Sequence, residues 1–237
     1  MKNTITKLLL TTAVLALLTS SAYAALNWDG QSGVFLNSLA YTSAPGTTET
    51  ATHYADLGKL GSVSTYSITT SLKSNIELGY TRYASSVTGV SDQNIIHGKW
   101  QFLKESKSAP AAAFSVIYRD LVDGDNTAEI AVNATKIVII DKHALILDLG
   151  ARSTKAVGLG LFGVADKSEL KFEGSLAYFV TPKFIVGTEF KQQINSRPWR
   201  DIAARYIVSD KLNLDVGIAN FGTGLDNQIA LGATYKL

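Results

Sequence analysis

The chain has 237 residues, with 22 Lys plus Arg against 20 Asp plus Glu, four prolines and no cysteine. Without cysteine there is no disulfide framework, no thiolate zinc site and no thiol for lipid attachment. No block of like charge is present that could hold nucleic acid, so that class of partner is excluded.

The N-terminus reads as an address. Lys2 and Lys7 precede an apolar run, LLLTTAVLALL, from Leu8 to Leu18. TSSAYA follows, with Ala22 and Ala24 in the small-residue spacing that a signal peptidase reads. This predicts a signal peptide over residues 1–24 and a single domain over 25–237. The apolar run is shorter than the roughly 20 residues of a spanning helix. Removing the leader takes away two lysines and no acid, which leaves equal numbers of basic and acidic residues.

From there, period-two alternation predicts twelve strands. They lie near 32–41, 62–72, 75–84, 95–103, 111–120, 127–139, 143–152, 168–180, 183–191, 199–208, 211–220 and 227–237. The pattern is clearest late in the chain. KFIVGTEFK (183–191) puts Phe184, Val186, Thr188 and Phe190 on one face and Glu189 and Lys191 on the other. KLNLDVGIA (211–219) sets Leu212, Leu214, Val216 and Ile218 against Asn213 and Asp215. Helical spacing would scatter these apolar residues around a cylinder, whereas a strand collects them on one side.

The joins have their own regularity. Lys73-Ser74, Asp141-Lys142, Thr181-Pro182 and Ser209-Asp210 read as tight turns, and residues 104–110 as a medium one. Longer joins are expected at 42–61, 85–94, 121–126, 153–167, 192–198 and 221–226. Alternating short and long joins with an even strand count are the connection pattern of bacterial outer-membrane barrels. After the leader no apolar run is long enough for a spanning helix, and a sheet that crosses lipid must close, because an open edge leaves backbone groups unpaired. The predicted fold is therefore all-β: a closed antiparallel transmembrane up-and-down β-barrel of about twelve strands in the bacterial outer membrane. A soluble lipocalin-like barrel or a sandwich is the alternative, and it would bury the apolar stripes instead.

In the membrane reading Leu170, Phe172, Leu176 and Tyr178 face lipid, while Lys171, Glu173 and Ser175 face a polar interior. Tyr80, Trp100, Tyr118, Tyr178, Tyr206 and Tyr235 fall on the apolar faces, where interfacial girdles form. The last eight residues, ALGATYKL, resemble the C-terminal signal read by outer-membrane assembly machinery, with Gly232 before Tyr235 and Leu237. Membrane lipid and that machinery are the expected partners, together with a small polar solute.

Projecting the strands places seven basic and seven acidic residues on the lumen face. They are Lys99, Arg119, Arg152, Lys171, Lys191, Arg205 and Lys236, and Glu77, Glu129, Asp148, Glu173, Glu189, Asp201 and Asp215. A selective pore tends to carry an excess of one sign. A balanced set suggests ion pairs bracing a narrow lumen.

Other motifs carry little. GLGLFG (158–163) spells G-x-G-x-x-G, but a strand and not a helix is expected after it, so turn glycines are the better reading. Asn133-Ala134-Thr135 matches a glycosylation acceptor but falls within a strand. His53 is expected in the long loop, His97 on the inner face and His143 at a short turn. Their spacing suits no metal site, and no cofactor is indicated.

Five stretches together resemble a known family: DGQSGVFLNSLAY (29–41), NIELGYTRY (75–83), NATKIVIIDKHALILDLGARS (133–153), FEGSLAYFVTPKFIVGTEFKQQ (172–193) and LNLDVGIANFG (212–222). The chain resembles the domain-of-unknown-function family numbered 3034, exported bacterial proteins of the outer-membrane barrel type. That resemblance implies a barrel with no established activity, and it transfers no functional residues. The functional expectation is a narrow passive pore or uptake channel for small polar solutes. A non-conducting barrel with an envelope-assembly or surface-binding role is the alternative. A lipid-acting barrel enzyme centred on His97 lacks a nucleophile motif, and no enzyme is expected.

Overall fold

The computed structural model describes residues 25–237 apart from 73–74, 89, 91, 122–124, 142 and 222–226. The leader, the Lys73-Ser74 turn and Lys142 lie outside the described residues. Two short strands come first, β1 (Ala25–Leu26) and β2 (Ser32–Gly33), which pair with each other and not with the barrel strands. Twelve longer strands follow. They are β3 (Thr48–Asp56), β4 (Ser62–Ser71), β5 (Ile76–Ser85), β6 (Gln93–Leu103), β7 (Ala111–Leu121), β8 (Thr127–Ile140), β9 (His143–Ala156), β10 (Val164–Thr181), β11 (Phe184–Gln193), β12 (Ser196–Ile207), β13 (Leu212–Asn220) and β14 (Gln228–Lys236).

Each of the twelve pairs antiparallel with its chain neighbours, and β14 closes on β3 with Thr234 opposite Ala51. Closure removes both sheet edges, which is what hydrocarbon demands of a spanning sheet. The outer face is apolar. Leu170 is 63% exposed, Phe184 37%, Leu214 44% and Ile202 71%. Tyr80, Trp100, Tyr118, Tyr178, Tyr206 and Tyr235 are all exposed on it. The inner positions of the same strands, such as Glu173 beside Phe172 and Glu189 beside Phe190, are buried. The soluble alternative required the reverse.

The strand count agrees with the alternation, but the first strand does not. Residues 32–41 are not in the barrel wall. The first wall strand is β3, inside the segment expected to be the long loop 42–61. Its sequence, TETATHYAD, has three Thr, one Tyr and Asp56 on the outward face and small or polar residues inward, so no greasy stripe announces it. The β-branched threonines suit a strand all the same. His53 is consequently an inward, buried wall residue and not a loop residue.

The joins are also tighter than expected. The 192–198 join is a two-residue turn, Ile194 and Asn195, with Asn195 at φ 52°. The 153–167 join shrinks to residues 157–163 because β9 and β10 both run further. GLGLFG makes that turn, with positive φ at Gly158, Leu159, Gly160 and Gly163 and no helix after it.

Candidate functional site

The lumen is where this barrel concentrates its chemistry, and residues 25–47 fill it. The chain enters the wall at Thr48, and residues 25–47 fold back inside. The Asn27 side chain accepts hydrogen bonds from the main-chain N–H of Asp29 (3.0 Å) and Gln31 (3.0 Å), fixing a tight turn. Gly30 sits at the tip with φ 83°, and a Cβ there would lie 2.2 Å from the Thr81 hydroxyl. Only glycine fits so close an approach at that dihedral.

Apolar side chains of this segment close both ends of the barrel. Trp28, Phe35 and Leu36 pack at the longer-join end with Leu57, Val63, Tyr83, Leu161, Trp199 and Phe221. Leu39 packs at the short-turn end with Ile146, Phe179, Ile185 and Ile207. A void at each end has a volume of about 20 Å³, enough for roughly one water.

Between these clusters lies a layer of ionised groups. Twelve of the fourteen charged residues placed on the lumen face by the sequence are buried: Glu77, Lys99, Arg119, Glu129, Asp148, Arg152, Glu173, Glu189, Lys191, Asp201, Arg205 and Asp215. The other two are half-buried: Lys171 within β10 and Lys236 at the end of β14. Lys171 pairs with Glu169 at 2.6 Å.

The first group of contacts is a ring of alternating sign. Asp29 of the inserted segment meets Arg119 at 3.0 Å, and Arg119 meets Glu129 at 3.6 Å. Arg152 bridges Glu129 (2.6 Å) and Glu173 (3.7 Å). Lys191 bridges Glu173 (3.4 Å) and Asp29 (3.7 Å), which closes the ring. Arg119 grips Asp29 through both terminal nitrogens, at 3.1 and 3.0 Å, and the Tyr83 hydroxyl donates to it at 3.0 Å. Burial alone would raise the Asp29 carboxyl, but Arg119 and then Lys191 hold it well below the usual carboxylate range.

The second is a main-chain cradle. Glu189 accepts the N–H groups of Phe35 (2.9 Å), Leu36 (2.6 Å) and Asn37 (3.0 Å). The Asn37 amide donates to the Gly174 and Phe190 carbonyls at 3.0 Å each. Across the lumen Glu77 accepts from Ser32 N (2.9 Å) and from its hydroxyl, while Lys99 donates to Ser32 O at 2.8 Å. Arg205, paired with Asp215 at 2.7 Å, donates to the carbonyls of Gly33 (3.1 Å) and Val34 (2.6 Å). Asp148 accepts from Thr135 and from Asn133 (3.2 Å). Asp201 lies directly opposite Glu189 in register. These bonds satisfy main-chain groups that a non-sheet segment would otherwise bury unpaired.

His97 is buried on the inner face, 3.4 Å from Thr69 and 4.0 Å from Glu77. His53 stacks on Trp28 with ring centroids 5.5 Å apart, and His143 begins β9 and approaches the Phe179 carbonyl at 3.1 Å. Among the described residues no group of three His, Asp or Glu could hold a metal ion.

What sequence reading missed is the segment's own contribution: Asn27, Asp29, Ser32 and Asn37, and the hydroxyl wall of Thr65, Ser67, Thr69, Thr81 and Tyr83 behind it. One signal was present. GVFLNSLA breaks alternation with Val34, Phe35 and Leu36 in a row, which fits buried coil better than a half-exposed strand.

A closed twelve-stranded antiparallel sheet, apolar outside and ionised inside, defines a β-barrel of the bacterial outer-membrane type. The solved structures it resembles share that fold. A KdgM porin superposes with a TM-score of 0.60 at 12% identity, covering 80% of this chain and 98% of that one. A NanC porin gives 0.59 at 7% identity, covering 80% and 100%. Omp33, an outer-membrane protein of Acinetobacter baumannii, gives 0.52 at 14% identity, covering 81% and 98%. No curated protein matches the chain in sequence. The profile described as "Protein of unknown function (DUF3034)" matches residues 114–234, about half of the chain, and the chain belongs to that family.

Proposed function

We propose that this protein is an outer-membrane channel for small polar solutes, held closed at rest by its own residues 25–47. The observation that carries this reading is where the lumen's ionised groups find their partners. Arg119, Glu189, Glu77, Lys99 and Arg205 all bond to a segment that is not part of the barrel sheet. When it withdraws, a continuous wall with charged and hydroxyl-bearing inner positions remains, the kind of lining that passes hydrated solutes. With the leader cut after Ala24, the mature chain begins with this segment, so one of its ends is untethered. Lipid surrounds the apolar belt, and the assembly machinery recognises β14 and its terminal residues.

A second reading, a barrel that never conducts and acts through its surface, is favoured by the two apolar clusters that close both ends. An enzymatic role gains no support, because His97 lies beneath the inserted segment and away from the lipid-facing surface. Swelling of proteoliposomes in small sugars separates the first two readings. The intact mature chain should swell slowly, and a variant lacking residues 25–45 should swell at porin-like rates. A correctly folded truncated barrel that is as impermeable as the intact one would establish the second reading.

A further inference from the structure

The ring of alternating charge is incomplete in the wall alone. Five of its six members belong to barrel strands: Arg119 on β7, Glu129 on β8, Arg152 on β9, Glu173 on β10 and Lys191 on β11. These are three cations and two carboxylates. The sixth member, Asp29, arrives on the inserted segment and is gripped from both nitrogens of Arg119, by Lys191 and by the Tyr83 hydroxyl on β5. A ring built only to brace the wall would balance its charge from wall residues, because a buried unpaired cation is costly. The wall's own members of this ring are short by one negative charge, at a place where a two-pronged guanidinium geometry already selects a carboxylate.

The surroundings narrow the occupant further. Next to the gripped carboxylate, the Thr81 hydroxyl donates to the Asp29 carbonyl at 2.9 Å, and the Thr69 hydroxyl donates to the Gly30 carbonyl at 2.6 Å. Ser67 bonds Thr81 at 2.9 Å. The wall therefore offers a row of hydroxyl donors to oxygens placed beside a carboxylate.

We propose that Arg119, Lys191 and Tyr83 form a carboxylate-binding site in the channel wall, which Asp29 occupies at rest as a built-in ligand. Small organic monocarboxylates with carbonyl or hydroxyl oxygens near the acid group are the solutes that bind there once the segment has left. Naming this solute class rests on the channel reading. The site itself does not. Solute and segment compete for one set of donors, so a bound solute holds the segment out and the seated segment excludes the solute.

Chemical rescue tests the site without any current being measured. Asp29→Ala removes the equivalent of one formate from the ring. The purified mature variant is refolded from denaturant into detergent in sodium formate or in sodium chloride of equal ionic strength. Heat-modifiable gel mobility gives the folded yield, and a thermal melt gives the stability. Formate should raise both several-fold and by several degrees over chloride, and the gain should vanish in Asp29→Ala/Arg119→Gln. Equal yield and equal melting in the two salts, including no folding in either, would overturn the site. A truncated barrel that never swells would remove the channel reading and leave the rescue result standing.

Discussion

Glu189→Ala is the sharpest single perturbation of the inserted segment. Its carboxylate accepts three consecutive main-chain N–H groups, at 2.9, 2.6 and 3.0 Å, and is 3% exposed. A hydrogen bond to a charged group contributes about 1.5–3 kcal/mol net. Three such bonds, with some recovery by water entering the space, place the loss of seating energy at about 2–4 kcal/mol. Asp201 stays opposite Glu189 in the wall whether the segment is seated or not, so its influence largely cancels from this difference. At about 1.4 kcal/mol per tenfold, the unseated population should rise between about thirty-fold and a thousand-fold. The chain has no cysteine, so Ser38→Cys, buried in the segment, gives a single reporter. Its reaction with a water-soluble maleimide follows the unseated population when reseating is fast. The same rate with and without Glu189→Ala, in barrels that melt alike, would show that the Glu189 carboxylate does not hold the segment.

Gly30→Ala should also unseat the segment, because the new methyl would lie 2.2 Å from the Thr81 hydroxyl at φ 83°. Adding Thr81→Ala should relieve part of that cost, read by the same labelling, and leave the dihedral strain. The Asp29 carboxyl is held below its unfolded value, so its contribution is present above about pH 4 and is lost only as pH falls below that. The difference in seating between the wild type and Asp29→Asn, followed by Trp28 fluorescence, should thus stay constant from pH 8 to pH 5; a loss across that window would contradict the ion-pair account. Ile202→Lys places a charge on the lipid face in the middle of β12, where residue 202 is 71% exposed, and should cost about 2–4 kcal/mol in lipid refolding titrations. If it costs nothing, β12 does not face hydrocarbon there.

The wall was legible because each strand repeats one rule many times. Leu170, Phe172, Leu176 and Tyr178 alternate with Glu173 and Ser175, and the pleat turns that into two faces without any long-range information. β3 escaped because alternation needs contrast. Its outward threonines and inward Glu49, Ala51 and His53 are too alike in polarity to separate. The inserted segment escaped for a different reason. Phe35 and Leu36 look like half of a strand, yet they are buried on all sides by residues from six or more elements that the sequence does not place together. The charged residues were assigned to a face by parity alone. Their closure into a ring depends on Asp29, whose position comes from a turn made by Asn27 and Gly30. A local turn of that kind can be read once the space around it is known, and hardly before.

If residues 25–47 close a channel, removing them from the lumen must open it. Single-channel recording of the Ser38→Cys protein during exposure to a charged methanethiosulfonate puts this to the test. The reagent reaches residue 38 only when the segment is out, and the added charge then keeps it from returning. Current should appear in discrete, irreversible steps as modification proceeds, with conductance equal to that of the barrel lacking residues 25–45. Complete modification with no change in current would contradict that closure.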